Sequence, residues 1–157
     1  MSSNPALLTS ESQAYLSQQQ CARQWRGFLR ALSDEFGSAL PSEELRDLMH
    51  RIGMKFAAQN PLPPCETLTL LQEEMTDFWD QIDWGWVSLT QDARCLNIDH
   101  HCAPLASAFG TDQGDWMHGF LQGVYQQWFD SAGAQRLRVS PAVAADAWGS
   151  VRFELSL

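Results

Sequence analysis

Ile82-Asp83-Trp84-Gly85-Trp86-Val87-Ser88-Leu89 is the stretch on which the fold turns. Before it, apolar residues recur at three- and four-residue steps. After Asp83 they alternate, with Trp84, Trp86, Ser88 and Thr90 on one side and Val87 and Leu89 on the other. That change from a helical period to a period of two predicts helices followed by a sheet. Trp84 and Trp86 are thereby placed on one strand face beside two hydroxyls, a partly wet surface suited to a sugar or a neighbouring protomer. Indole rings stack on the C–H faces of sugars while nearby polar groups bond the hydroxyls.

Upstream, Cys21, Trp25, Phe28, Leu29, Leu32 and Phe36 form one apolar stripe that ends near Gly37 and predicts a first helix. Pro41-Ser42-Glu43-Glu44 supplies an N-cap with acids in the first turn. Leu45, Leu48, Met49, Ile52 and Phe56 continue a second helix, which stops before Asn60-Pro61-Leu62-Pro63-Pro64. On a third, Leu68, Leu71, Met75, Phe78, Trp79 and Ile82 lie within about 100° of arc, and Glu66, Glu73, Asp77 and Asp80 lie opposite. Residues 1–20, rich in Ser and Gln, read as a flexible N-terminal arm; residues 21–157 read as the folded domain.

Downstream, Arg94 to Asp99 predicts a hairpin partner for the first strand, and His100 to Gly114 reads as a loop. Asp115 is placed as the cap of a wide-arced, buried helix running to about Asp130. There Gly119 and Gly123 bare one ridge for close approach. Alternation around Gln135–Ser140 and Trp148–Leu157 predicts two further strands. The expected class is therefore α/β, more narrowly α+β: helices packed on a small antiparallel sheet in a single domain.

A chain of 157 residues with 45% apolar content, seven Trp and eight Phe can bury a sizeable core. Its formal charge of −9 argues against nucleic acid, whose binding draws on cations tracking phosphates. No stretch approaches the roughly twenty apolar residues that span a bilayer, so direct membrane insertion is not expected. The opening residues lack the basic and apolar regions of a signal peptide. With four scattered cysteines, this points to the cytoplasm.

Cys95, Asp99, His100, His101 and Cys102 are the densest potential metal ligands, but adjacent histidines point apart in an extended chain, and no metal is expected. Glu73 with Asp77 or Asp80 lies on a solvent face, without the desolvated acid a glycosidase needs. No phosphate-binding loop or nucleophile motif occurs. Neither catalysis nor a cofactor is expected.

Taken in order, Phe28-Leu29-x-Ala31-Leu32-Ser33-x-Glu35, Met49-His50-Arg51-Ile52-Gly53, the proline-rich link from Pro61 to Cys65, Ile82 to Trp86, the glycine-spaced helix Trp116 to Trp128 and Val151-Arg152-Phe153-x-Leu155 resemble the accessory D subunit of bacterial cellulose synthase. The resemblance runs from about residue 27 to 157. It implies a non-catalytic component that forms a closed homo-octamer from dimers and guides or organises glucan chains or synthase complexes, promoting cellulose export and crystallinity in biofilm. It implies other cellulose synthase subunits and a proline-rich accessory protein as partners. Tyr15, Trp25, Trp84 and Trp86 are the candidates for glucan or interface contact. The alternative is a small-molecule-binding or tethering domain resembling the vinyl-reductase and Bet3-like group, which a filled ligand pocket would favour.

Overall fold

The computed structural model describes residues 5–157. Among these, the helices are α1 (Pro5–Gln19), α2 (Arg23–Ala39), α3 (Ser42–Gln59), α4 (Leu68–Gln81), α5 (Leu105–Phe109) and α6 (Gly119–Ser131). The strands are β1 (Trp86–Gln91), β2 (Leu96–His101), β3 (Arg138–Val143) and β4 (Val151–Ser156), paired antiparallel in the order β1-β2-β4-β3. The mixed fold in one domain agrees with the pattern read from sequence.

Local chemistry explains most boundaries. Thr67 starts α4 by accepting a hydrogen bond on Oγ1 from the Leu70 N–H at 3.2 Å. Leu71, Met75 and Trp79 then recur every fourth residue and are buried, while Glu73, Asp77 and Asp80 are turned away from the core. In α3 the same spacing buries Leu45, Met49, Gly53 and Ala57. Ser42 is the first helical residue of α3 rather than its cap; Pro41 holds the cap position, preset by its ring, and no side chain bonds there. Asp115 likewise makes no capping bond, because Trp116–His118 forms a single 3-10 turn before α6 begins.

Three further segments differ from the expectation. Pro5–Gln19 of the arm is helical, and Met1 to Asn4 lie outside the described residues. His100 and His101 belong to β2 rather than to a loop, and the loop contains α5, too short to show a helical period. Trp84 precedes β1 rather than opening it.

The core is organised by α6 lying directly on α3. A Cβ added at Gly123 would sit 2.0 Å from the His50 carbonyl oxygen, one at Gly53 would sit 2.0 Å from that of Phe120, and one at Gly119 2.5 Å from that of Arg46. The two backbones touch, and only glycine fits at the crossing. Trp79, fully buried, fills the space beside it, packed against Phe56, Phe78, Trp84, Tyr125 and Trp128 with ring centroids 5.4 to 6.3 Å apart.

Helix side chains close both sheet edges. On β1, Thr76 Oγ1 donates to the Val87 carbonyl at 3.2 Å, and Gln72 Oε1 accepts from the Leu89 N–H at 2.6 Å. On β3, Gln126 Oε1 accepts from the Val139 N–H at 2.8 Å, and Gln122 Nε2 donates to the Val139 carbonyl at 2.9 Å.

Gly123→Ala is expected to cost about 3 kcal/mol or more, because backbone must move to admit the methyl group. Gly27→Ala in α2, where an added Cβ meets nothing within 4 Å, is expected to be neutral or stabilising by up to about 1 kcal/mol. Urea midpoints of the two variants check this.

Candidate functional site

The four aromatic candidates part company in the structure. Asp83 and Gly85 both adopt positive φ, at 58° and 79°, so the chain turns sharply on either side of Trp84. Gly85 also has no room for a side chain, since a Cβ would lie 1.8 Å from the His101 carbonyl oxygen. The turn drives Trp84 inward, stacked on Trp79 at 5.6 Å and tilted against Phe120 at 5.4 Å. Trp86 goes outward and is 47% exposed. The shared strand face expected for the two tryptophans is therefore corrected: backbone of positive φ between them breaks the alternation. Tyr15, on α1, is exposed, and Trp25, on α2, is exposed beside Phe28 in an edge-on pair at 6.2 Å.

Two surfaces result. The first is the outer sheet face, whose residues follow from the register. Trp86 faces His101, Ser88 faces Asp99, and Asp99 faces Arg152. Trp86 and His101 stack with centroids 5.1 Å apart and planes at 25°. Ser88 Oγ lies 3.3 Å from His101 Nε2. Arg152 donates from Nε and Nη2 to the two carboxylate oxygens of Asp99 at 2.6 and 3.0 Å, a planar forked pair. Its guanidinium pKa is raised, first by that hydrogen bond and then by the Asp99 charge.

The second surface is an apolar groove of about 430 Å³ between α2, α3 and α5, lined among others by Trp25, Leu29, Leu32, Ile52, Trp84 and Trp116. It exists because the stripe on α2 is not covered: Ser33 is the one buried residue of that helix.

The remaining sequence candidates lie elsewhere. His100 turns inward, opposite to His101, and is fully buried. Burial lowers its pKa to about 4, so the ring is neutral. Its Nε2–H donates to the Trp84 carbonyl at 2.8 Å, which can only accept, and the Tyr125 hydroxyl donates to Nδ1 at 2.5 Å. Cys95 sits beside Asp92 in the β1–β2 turn, and no metal-holding group of three occurs among the described residues. No described helix is long and apolar enough to cross a membrane. His101, Asp99 and Arg152 share the outer sheet face with Trp86, a grouping that pattern reading does not assign; the alternation of Asn97, Asp99 and His101 in β2 is its available signal.

Residues 11–154 match the family of cellulose synthase D subunits. The chain belongs to that family. A cellulose synthase operon protein D of Komagataeibacter xylinus is 31% identical over 106 residues, covering 66% of this chain and 68% of that one. A second K. xylinus protein of the same name is 32% identical over 110 residues, covering 68% and 70%. The corresponding Komagataeibacter sucrofermentans protein is 31% identical over 106 residues, covering 66% and 68%. Membership in this family gives the chain a role in cellulose synthesis and favours that reading over the vinyl-reductase and Bet3-like alternative.

Acid should weaken this cellulose synthase component through His100. Its folded pKa of about 4 lies below the unfolded value near 6.5, so the stabilisation is complete above pH 6.5 and is lost as the pH falls towards 4. The difference, about 2.5 units, amounts to about 3 kcal/mol. Burial also lowers the pKa of His118 and of His50, which adds in the same direction. Denaturant midpoints measured from pH 7 to 4 should fall, and His100→Asn, less stable at pH 7, should fall less steeply.

Proposed function

We propose that this chain is a non-catalytic accessory component of bacterial cellulose synthase that assembles with copies of itself and organises glucan chains or synthase complexes. The observation that carries the reading is the uncovered apolar stripe of α2. Trp25 and Phe28 are 54% and 58% exposed, and beside them Leu29, Leu32 and Ile52 open into the groove. A monomer gains nothing from leaving so much apolar surface in water, whereas a closed set of copies buries it repeatedly without leaving a free end.

An octamer built from dimers is the assembly we favour. Other cellulose synthase subunits and a proline-rich accessory protein are its proposed partners, docking on surfaces that the oligomer leaves open. The free thiols Cys21, Cys65, Cys95 and Cys102 suit a reducing compartment, and we assign the protein to the cytoplasm. Glu73 and Asp77 stand on the solvent side of α4 rather than facing each other across a cleft, which supports a role without hydrolysis.

Light scattering of the purified protein should give a mass larger than a dimer. Trp25→Glu with Phe28→Glu should dissociate it while leaving the circular dichroism spectrum unchanged, since both side chains are exposed in the monomer. A double variant with wild-type mass would remove α2 from the interface. In cells, deleting the gene should leave polymerising activity of membranes largely intact and lower the order of the cellulose, read by diffraction; loss of polymerisation in isolated membranes would overturn the accessory role.

A further inference from the structure

We propose that the outer face of α4, with the cleft beside its first turns, is a docking surface for a basic amphipathic segment of a partner polypeptide. Leu70 and the cleft receive its apolar side chains, and Glu73, Glu74, Asp77 and Asp80 receive its lysines or arginines. The proposal rests on the accessory role above for the existence of a partner, and adds the chemistry by which one is held.

The cleft lies between the proline-rich link, α4 and the end of α6. Its volume is about 230 Å³, and Leu62, Pro63, Cys65, Leu71, Trp128 and Ala132 are among the residues that line it. Pro61 to Pro64 form neither helix nor strand, as their rings dictate, and the link passes α4 and α6 without filling the space between them. Glu74 stands near this cleft: after burial, its charge raises the pKa of the Cys65 thiol. Leu70, next to the cleft-lining Leu71, turns outward and is 46% exposed.

Charge complementarity identifies the occupant. Leu70, Glu73, Asp77 and Asp80 follow one another at three- and four-residue steps and are all exposed, so a leucine heads a row of carboxylates about 15 Å long. The protein does not neutralise this row itself. No Lys or Arg occurs between Phe56 and Ala93, and the ion pairs among the described residues, Arg30 with Asp112 and Arg152 with Asp99, lie elsewhere. The arrangement also works against the helix that carries it. Glu73 and Asp77, then Asp77 and Asp80, repel across one turn, and Asp80 stands in the last turn, where the helix dipole favours a cation. Neither α4 nor α6, whose end borders the cleft, has a basic residue in its last turn. A cationic partner relieves each of these.

Only a segment both cationic and apolar uses the whole surface. A metal ion needs converging ligands, and no group of three occurs among the described residues. A polyamine brings charge but nothing for Leu70 or the cleft. The chain's own cations do not supply the segment either: Arg26, Arg30, Arg46, Arg138 and Arg152 are bonded within the fold, and of the others only Arg51 and Lys55 stand one turn apart on a helix. An excess of lysine and arginine is the mark of the short cytoplasmic loops of membrane-spanning proteins, and a loop of that kind is the partner this face fits.

Fluorescence anisotropy of the full-length protein with a labelled amphipathic peptide of leucine and lysine, about fourteen residues long, tests this. The wild type should bind it, less tightly as salt is added. Glu73→Gln with Asp77→Asn should weaken binding about tenfold, and Leu70→Ser should weaken it as well. Glu43→Gln with Glu44→Gln, which removes the same charge from the exposed start of α3, should leave it within about twofold. The Glu73→Gln, Asp77→Asn variant should also show a higher urea midpoint than the wild type, because repulsion along α4 is gone. Four results would overturn the site: no binding by the wild type, binding indifferent to the α4 substitutions, equal binding of a peptide with serine in place of leucine, or a smaller native mass for the α4 variant, which would give this face to a second copy. These readouts are independent of the deletion phenotype on which the accessory role stands or falls.

Discussion

The contact of α3 with α6 through bare backbone is the constraint from which the remaining arrangement follows. With Gly53, Gly119 and Gly123 at the crossing, α6 lies too close for side chains to intervene, and its other positions must serve the surrounding elements. Tyr125 reaches His100 in β2, Gln122 and Gln126 reach β3, and the Trp128 indole N–H donates to the Asn60 carbonyl beyond α3. One helix thus fixes the depth of the sheet and the path of the proline-rich link. A wider crossing would lengthen all of these bonds together, which is why a single methyl group at that point acts on the whole domain.

The same buried network connects the core to the surface. His100 holds the Trp84 carbonyl, and the next peptide leads through Gly85 to Trp86. The outward indole is therefore anchored close to the centre of the core, and it is carried by a strand rather than by a loop. Neutral His100 is integral to this, since a charged ring could not accept from Tyr125.

Much of this is legible in the chain itself. Four-residue spacing locates α3 and α4, the alternation after Asp83 locates the sheet, and the Gly119/Gly123 pair announces a close approach, though not that Gly53 is its partner. What the pattern does not resolve is direction. Trp84 and Trp86 fit one strand face on spacing, and only positive φ at Asp83 and Gly85 turns them apart. The stripe of α2 has the spacing of a core face, but whether a stripe is covered depends on where the neighbouring helices lie, which is a tertiary fact. His100 stands in a run of polar residues that resembles a loop, yet it is among the most buried residues because Tyr125 and the Trp84 carbonyl satisfy both ring nitrogens. Helix α5 is too short to show a period, and α1, rich in Ser and Gln, carries no apolar face to announce it.

The amide and hydroxyl clamps on β1 and β3 have a consequence for life at high local concentration. A sheet with open edges recruits strands from any neighbour, and copies gathered side by side would tend to zip together into an endless ribbon. Here Thr76, Gln72, Gln122 and Gln126 occupy the outward-pointing peptide groups of Val87, Leu89 and Val139, so crowding cannot propagate along the backbone. Association is left to side-chain surfaces, which can be complementary in one geometry and not in others, and a finite, ordered body can form where an adhesive edge would give an aggregate.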